Sequence, residues 1–370
     1  MTIYVLDART ATEHFPGIGR YVINLTRELA SLLRAKEQLF LLCDPASSYW
    51  SNPGEIAPGA IQLLDVPSSC FSLRQQWVIP HILRQVGANL YHSTYYLMPY
   101  RPSVPTLLTV YDLIPLLFPE YVSFRARLFF RYATALALRV VSHVLTISET
   151  TRRDLLSTFP LPAQKVTAIP LAADPQFYPR LPSEIQAVRD QYALPERYAL
   201  YVGINKPHKN LARLVEAWAK LQPLSLSLVV AGVWDWRYPE PRQRAQALGL
   251  EQSILWLGPV PESALPALYS GATVFVFPSL YEGFGLPVLE AMACGVPIVC
   301  SNTSSLLEIG DTAIRFFDPT SVEDICAALQ EVLTDASLRM ELRERGLTRA
   351  AQFSWQRTAQ RTLELYAQFV

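Results

Sequence analysis

Short β-rich runs and helical patterns take turns along this chain, and few folds accommodate that order. Strands are expected near Ile3–Leu6, Leu39–Leu42, Ile61–Leu64, Leu90–His92, Thr106–Tyr111, His143–Thr146 and Val166–Ile169. Helices are expected near Arg20–Leu33, Leu73–Val86, Phe124–Val141 and Thr150–Ser157. The run "IPLAADPQFYPRLPS", Ile169 to Ser183, then interrupts the alternation with four prolines and no period, the mark of a linker. Strands resume near Ala199–Val202, Leu226–Ala231, Ile254–Leu257, Val274–Phe277 and Ile298–Cys300, each followed by a helical segment. Helices between strands serve as crossovers, so the order predicts an α/β chain of two doubly wound, Rossmann-like domains. Their expected limits are 1–172 and 183–353, with a linker at 173–182. A chain of 370 residues, half of them hydrophobic, can fill two cores.

Charge and cysteine usage narrow the function. Lysine and arginine balance aspartate and glutamate, 32 against 32, so no net field draws in nucleic acid. The five cysteines, Cys43, Cys70, Cys294, Cys300 and Cys326, form neither a CxxC pair nor an even set, and the five histidines are scattered. Reduced thiols, a cytoplasmic location and no metal site are the expectation. The opening "MTIYVLDART" reads as a first strand and not a signal peptide, because it lacks a basic start and carries Asp7. The most apolar run, "PTLLTVYDLIPLLFP", is cut by Asp112 and by prolines, so no spanning helix is expected.

In open parallel sheets ligands bind beyond the carboxyl ends of strands, where loops feed helix N-termini. One such loop lies in "VFVFPSLYEGFGLPVLEAMACG", where Pro287 suits a helix's first turn and Gly295 its end. Glu282 then sits at the strand's exit, and Glu290 on about the first helical turn, beside amides able to hold an anion. Two carboxylates flanking an anion-binding helix start fit a sugar on each side of a diphosphate, which describes a nucleotide-sugar. The competing account is a helix start whose acidic residues simply favour its dipole.

The longer stretch "PSLYEGFGLPVLEAMACGVPIVCSNTSSLLEIG" resembles the Glu-x7-Glu signature of the retaining glycosyltransferases of family 4. That family has the GT-B fold, two Rossmann-like domains facing across a cleft, with a C-terminal helix, here within 354–370, crossing back to the first domain. The resemblance implies that Glu282 contacts hydroxyls of the transferred sugar and that Glu290 holds the nucleotide ribose. It also implies that backbone amides of Gly283, Phe284, Gly285 and Leu286 meet the sugar and the diphosphate, and that no metal or other cofactor is needed.

Other loops extend the resemblance over nearly the whole length. In "YVGINKPHKNLARLVEAW" a strand ends at Gly203 and a helix begins around Asn210, with Lys206 and Lys209 between them as cations for a diphosphate. The family carries Arg-Lys-Asn or Arg-Lys-Gly there; Lys209 matches the lysine, His208 stands where the arginine would be, and Lys206 is the second available cation. In "TEHFPGIGRYVINLTREL" a glycine-rich turn, Gly17 and Gly19, leads to an amphipathic helix and resembles the family loop that closes over the diphosphate. Arg20 is assigned to the acceptor or phosphate side. In "TVYDLIPLLFPEY" the family usually has His-Asp-Leu; here Tyr111 precedes Asp112, and a phenol donates a hydrogen bond but carries no positive charge near neutral pH. The turn from Gly258 to Val260 matches the segment that lines the base pocket.

These resemblances imply a retaining hexosyltransferase, mannosyl or glucosyl in type, moving sugar from a nucleotide-diphosphate donor to a glycan, polysaccharide or lipid-linked acceptor. A catalytically weak binding subunit of the same fold, or a sucrose-synthase-like or epimerase variant, is the alternative. The segment "YVSFRARLFFRYATALALRVVSH" adds four arginines, several aromatics and no acid. On a helix Arg125, Arg127, Arg131 and Arg139 share about half the circumference, which fits either peripheral docking at the inner membrane face or a core helix with a solvated basic edge.

Overall fold

The computed structural model describes residues 1–12, 15–44, 61–66, 68–221 and 226–370. The chain divides into two compact units, Met1–Leu171 with Ser354–Val370, and Ala172–Phe353.

The first unit holds seven parallel strands: β1 (Thr2–Asp7), β2 (Glu37–Cys43), β3 (Ile61–Asp65), β4 (Leu90–Ser93), β5 (Thr106–Val110), β6 (His143–Thr146) and β7 (Val166–Ala168). Their order across the sheet is β3-β2-β1-β4-β5-β6-β7. The second unit holds β8 (Tyr198–Val202), β9 (Ser227–Ala231), β10 (Ile254–Gly258), β11 (Val274–Phe277), β12 (Ile298–Ser301) and β13 (Arg315–Phe317), ordered β10-β9-β8-β11-β12-β13. Both sheets are doubly wound, as the alternation predicts. The reversal of strand order falls between β1 and β4 in one sheet and between β8 and β11 in the other. At such a point the two connections leave in opposite directions and open a crevice beyond the strand ends.

Helices cover both faces, so central strands read as unbroken apolar runs; "VFVF" of β11 is buried at every residue. The short β13 was not anticipated, because three residues are too few for a period to show. In the first unit the helix Trp355–Tyr366 packs on the helix Pro16–Leu32. Its Thr358 hydroxyl donates to the Pro170 carbonyl at 2.7 Å and its Arg361 to the Ala168 carbonyl at 2.9 Å. Tyr366 Oη lies 2.7 Å from His92 Nδ1, while His92 Nε2 lies 2.7 Å from Thr109 Oγ1.

One expectation needs correction. Gly17 and Gly19 do not form a turn ahead of the helix; they belong to its first turns, because the helix already begins at Pro16. Proline is preorganised for a first helical position and has no amide to leave unbonded. The Gly19 amide donates to the Phe15 carbonyl at 2.8 Å, an ordinary helical bond, and neither glycine takes a positive φ.

Candidate active site

In the second unit the loops leaving β8 and β11 meet at the strand-order reversal. The β8 loop is built stepwise. Tyr201 Oη donates to the Ile204 carbonyl at 3.0 Å, and Asn205 Nδ2 donates to the carbonyls of Asp235 and Tyr238 at 2.9 and 2.6 Å. A short 3-10 turn, Pro207–Lys209, follows and ends at Asn210 in a left-handed conformation, φ 59°. Asparagine tolerates that region better than most residues. Asn210 occupies the N-cap position of the next helix but makes no side-chain cap bond. Its amide instead donates to the carbonyls of Pro278 and Pro319, at 3.0 and 2.8 Å, and so ties the β8 loop to the end of β11. The Leu280 amide adds a second tie to the His208 carbonyl at 2.7 Å.

This stitching brings Lys209 Nζ to 2.6 Å from Glu282 Oε1, a charge-assisted bond between residues 73 apart in sequence. The lysine also lies 5.5 Å from the centroid of the Phe277 ring. Both side chains keep some access to solvent, 17% for Lys209 and 11% for Glu282, so a ligand can reach them. Lys206 is exposed nearby on the same loop. His208 is buried, and burial, reinforced by Lys209 and Lys206, lowers its pKa to about 4 against an opposing pull from Glu282. At neutral pH it carries no charge, so His208 does not itself supply the cation that the resemblance implies at this position, and Lys206 is the loop's second cation.

The loop from Glu282 to Leu286 is held from a third side, which the sequence reading missed. Glu282's amide donates to Ser304 Oγ at 2.9 Å, and Ser305 Oγ donates to the carbonyls of Glu282 and Phe284 at 2.9 and 2.7 Å. The only signal for these serines was their place after the β12 strand in "SNTSS". Gly285 caps the helix Leu286–Ala293 with φ 106°, and a Cβ there would stand 2.7 Å from Leu306 Cδ2. Glycine is thus required twice, for backbone conformation and for space. Gly283 and Phe284 are buried and Leu286 half-buried at the helix start, where first-turn amides and the helix dipole favour an anion.

Glu290 lies just past that start, the fifth residue of a helix that begins at Leu286 with Pro287 in its first turn. The residue is 2% exposed, and its carboxylate accepts a hydrogen bond from Tyr269 Oη at 3.1 Å. Tyr269 itself is fully buried against Phe275 and Phe177 and was not singled out by sequence. Glu282 and Glu290 therefore occupy separate polar settings, one facing a lysine and one a phenol. Gly203 lies at the end of β8, its amide bonded to the Ala231 carbonyl at 2.9 Å; the Gly258 carbonyl accepts from the Gly232 amide at 2.8 Å, and Val260 is half-buried beyond it.

In the first unit, Tyr111 leaves the sheet one residue after β5. Its ring meets Tyr21 edge-on at 5.5 Å, and burial raises its pKa well above the ordinary value. The phenol oxygen is buried without a hydrogen-bond partner among the described residues. Asp112 Oδ1 accepts from the Ile114 amide at 3.0 Å, a local turn that starts the helix Ile114–Leu117. Arg20 is half-buried on the helix Pro16–Leu32, its carbonyl accepting from Asn24 Nδ2 at 3.0 Å. Next to β1, Asp7 and Arg9 form a buried bidentate pair at 2.6 and 2.8 Å that Tyr91 and Gln75 complete; this closes the loop structurally. Among the described residues no group of three or more His, Cys, Asp or Glu is placed to hold a metal ion.

Residues 184–349 match the family described as Glycosyl transferases group 1, and residues 16–177 match Glycosyltransferase Family 4. The chain is 32% identical over 369 residues to O-antigen chain mannosyltransferase B of Escherichia coli, covering 95% of each. Among solved structures it resembles Anabaena HepE in complex with UDP-glucose, with a TM-score of 0.79, 18% identity and full coverage of both chains. It also resembles sucrose-phosphate synthase from Thermosynechococcus elongatus, with a TM-score of 0.77 and 22% identity over 100% of this chain and 99% of that one. Likeness at these identities shows a shared fold, the GT-B fold.

Proposed function

The chain belongs to the group 1 glycosyl transferases, and from that premise we propose that it is a metal-independent, retaining hexosyltransferase. It would move a mannosyl or glucosyl residue from a nucleotide-diphosphate sugar to a glycan, polysaccharide or lipid-linked acceptor. The observation that carries the reading is the pair of Lys209 and Glu282, 2.6 Å apart at the strand-order reversal and beside a helix start. A lysine there can neutralise charge growing on a departing diphosphate, with Lys206 and the helix dipole adding to it. A carboxylate at the same point accepts bonds from sugar hydroxyls and steadies positive charge at the anomeric carbon. The acceptor hydroxyl would attack from the face the diphosphate leaves, which takes the proton. The mannosyltransferase named among its relatives supports mannose as the sugar transferred.

The neutral His208 favours a second reading, a binding subunit with little turnover, because the histidine adds no charge to that of Lys209 and Lys206 for a departing diphosphate. Calorimetric titration with UDP, GDP and ADP, followed by the matching nucleotide-sugars and product analysis, tests both. One diphosphate binding tightly, with transfer to an acceptor, supports the enzyme. Binding without transfer supports the subunit, and no binding to any nucleotide sinks both.

A further inference from the structure

The helix Phe124–Val140 in the first unit is amphipathic in an inverted sense. Ser123 caps it, its Oγ accepting from the Ala126 amide at 3.2 Å. The residues it buries are small or few: Ala133, Thr134, Ala137 and Leu138. Six of its large apolar side chains point to water instead, with Phe124 74%, Phe129 57% and Tyr132 63% exposed, and Leu128, Leu136 and Val140 also exposed, while Phe130 turns inward against Tyr96. At about 100° per residue these six fall in one stripe roughly 160° wide. The expectation of a core helix with a solvated basic edge would have put the aromatics inside; Phe130 is inside, and the other three rings are outside.

Charge gives the stripe a direction. Arg125 and Arg139 lie within it and Arg131 on its flank, all exposed, with half-buried Arg127 one step further round, and the helix holds no acidic residue. Exposed rings interleaved with arginines match the boundary between the headgroups and acyl chains of an anionic bilayer, where rings insert shallowly and guanidinium groups meet phosphates. A second copy of the chain fits poorly, since a two-fold contact would set arginines against arginines. We propose that this helix docks the protein on an anionic lipid surface through Phe124, Phe129, Tyr132 and the flanking arginines. The inference stands on the helix alone and does not need the donor site.

The test is flotation of the full chain with vesicles of phosphatidylcholine alone and with phosphatidylglycerol added. Binding is expected only with the anionic lipid, weakening as salt rises. Arg125→Gln with Arg131→Gln should lower the partition roughly thirtyfold, and Phe129→Ser with Tyr132→Ser should abolish it. All four side chains are exposed, so both variants should keep the parent's circular dichroism and nucleotide binding. Failure to float with anionic vesicles, or equal flotation of the parent and both variants, overturns the proposal. So does a concentration-dependent dimer in light scattering that Phe129→Ser with Tyr132→Ser breaks, which would assign the face to a second copy.

Discussion

Lys209 Nζ and Glu282 Oε1 are 2.6 Å apart although one follows β8 and the other β11. Each is the other's ion-pair partner, on loops that leave two different strands of one sheet. Glu282→Gln keeps the shape and a hydrogen-bonding group but removes the charge, so kcat should fall about 100- to 1000-fold while donor affinity changes little. Steady-state kinetics check this; an unchanged kcat would remove Glu282 from the reaction.

Lys209→Ala should weaken a nucleoside diphosphate about 10- to 100-fold and leave the unphosphorylated nucleoside nearly untouched. Calorimetry on the two ligands separates the cases. Equal losses would place the lysine away from the phosphates.

Tyr269 fixes the Glu290 carboxylate with a bond of 3.1 Å in a buried setting. Tyr269→Phe deletes only the hydroxyl, so nucleotide affinity should fall several-fold with no change in secondary structure, and Glu290→Ala should cost more. Affinity that is unchanged in both variants would make Glu290 a packing residue.

Gly285→Ala meets a φ of 106° and Leu306 Cδ2 at 2.7 Å. Destabilisation of about 1–3 kcal/mol is expected in urea unfolding. Adding Leu306→Ala should relieve the clash but not the backbone strain, so the double variant should be more stable than the sum of the single losses implies. Strict additivity would argue against the clash.

His92 is held neutral by burial, its pKa lowered to about 3, with a weak opposing pull from Asp7. His208 is lowered to about 4. Unfolded histidines titrate near 6.5, so on acidification the unfolded chain takes protons first. The stability contributed by both is complete above about pH 6.5 and is lost as pH falls towards about 4 for His208 and about 3 for His92. Midpoints of urea unfolding should therefore drop between pH 6.5 and 4.5, and His92→Gln should flatten that slope. A midpoint that stays level or rises on acidification contradicts the assignment.

Changing Tyr111 gives up its edge-on contact with Tyr21 but no side-chain hydrogen bond, since its phenol oxygen has no partner among the described residues. Tyr111→His should keep the fold and hold or raise transfer activity if the position serves the donor. A loss of tenfold or more would instead show that the phenol has a task of its own.

The repeating strand and helix pattern was legible because parallel strands covered on both faces must be apolar and must be joined by crossovers. That pattern marked every strand but β13, together with the loops carrying Lys209 and Glu282. Helix starts were less legible. Pro16 moved the start of its helix ahead of the glycines, and with it the setting of Gly17 and Gly19.

The sequence by itself determined the α/β class, the two units, the family and the residue types available to a nucleotide-sugar, because these follow from periodicity and from local motifs. Tertiary structure alone decided that Lys209 meets Glu282, that Tyr269 holds Glu290, that His208 is neutral and that the rings of Phe124, Phe129 and Tyr132 face water. Each of these depends on distance or burial between segments far apart in the chain, which the order of residues does not encode locally and which appears only when strand order brings their loops together.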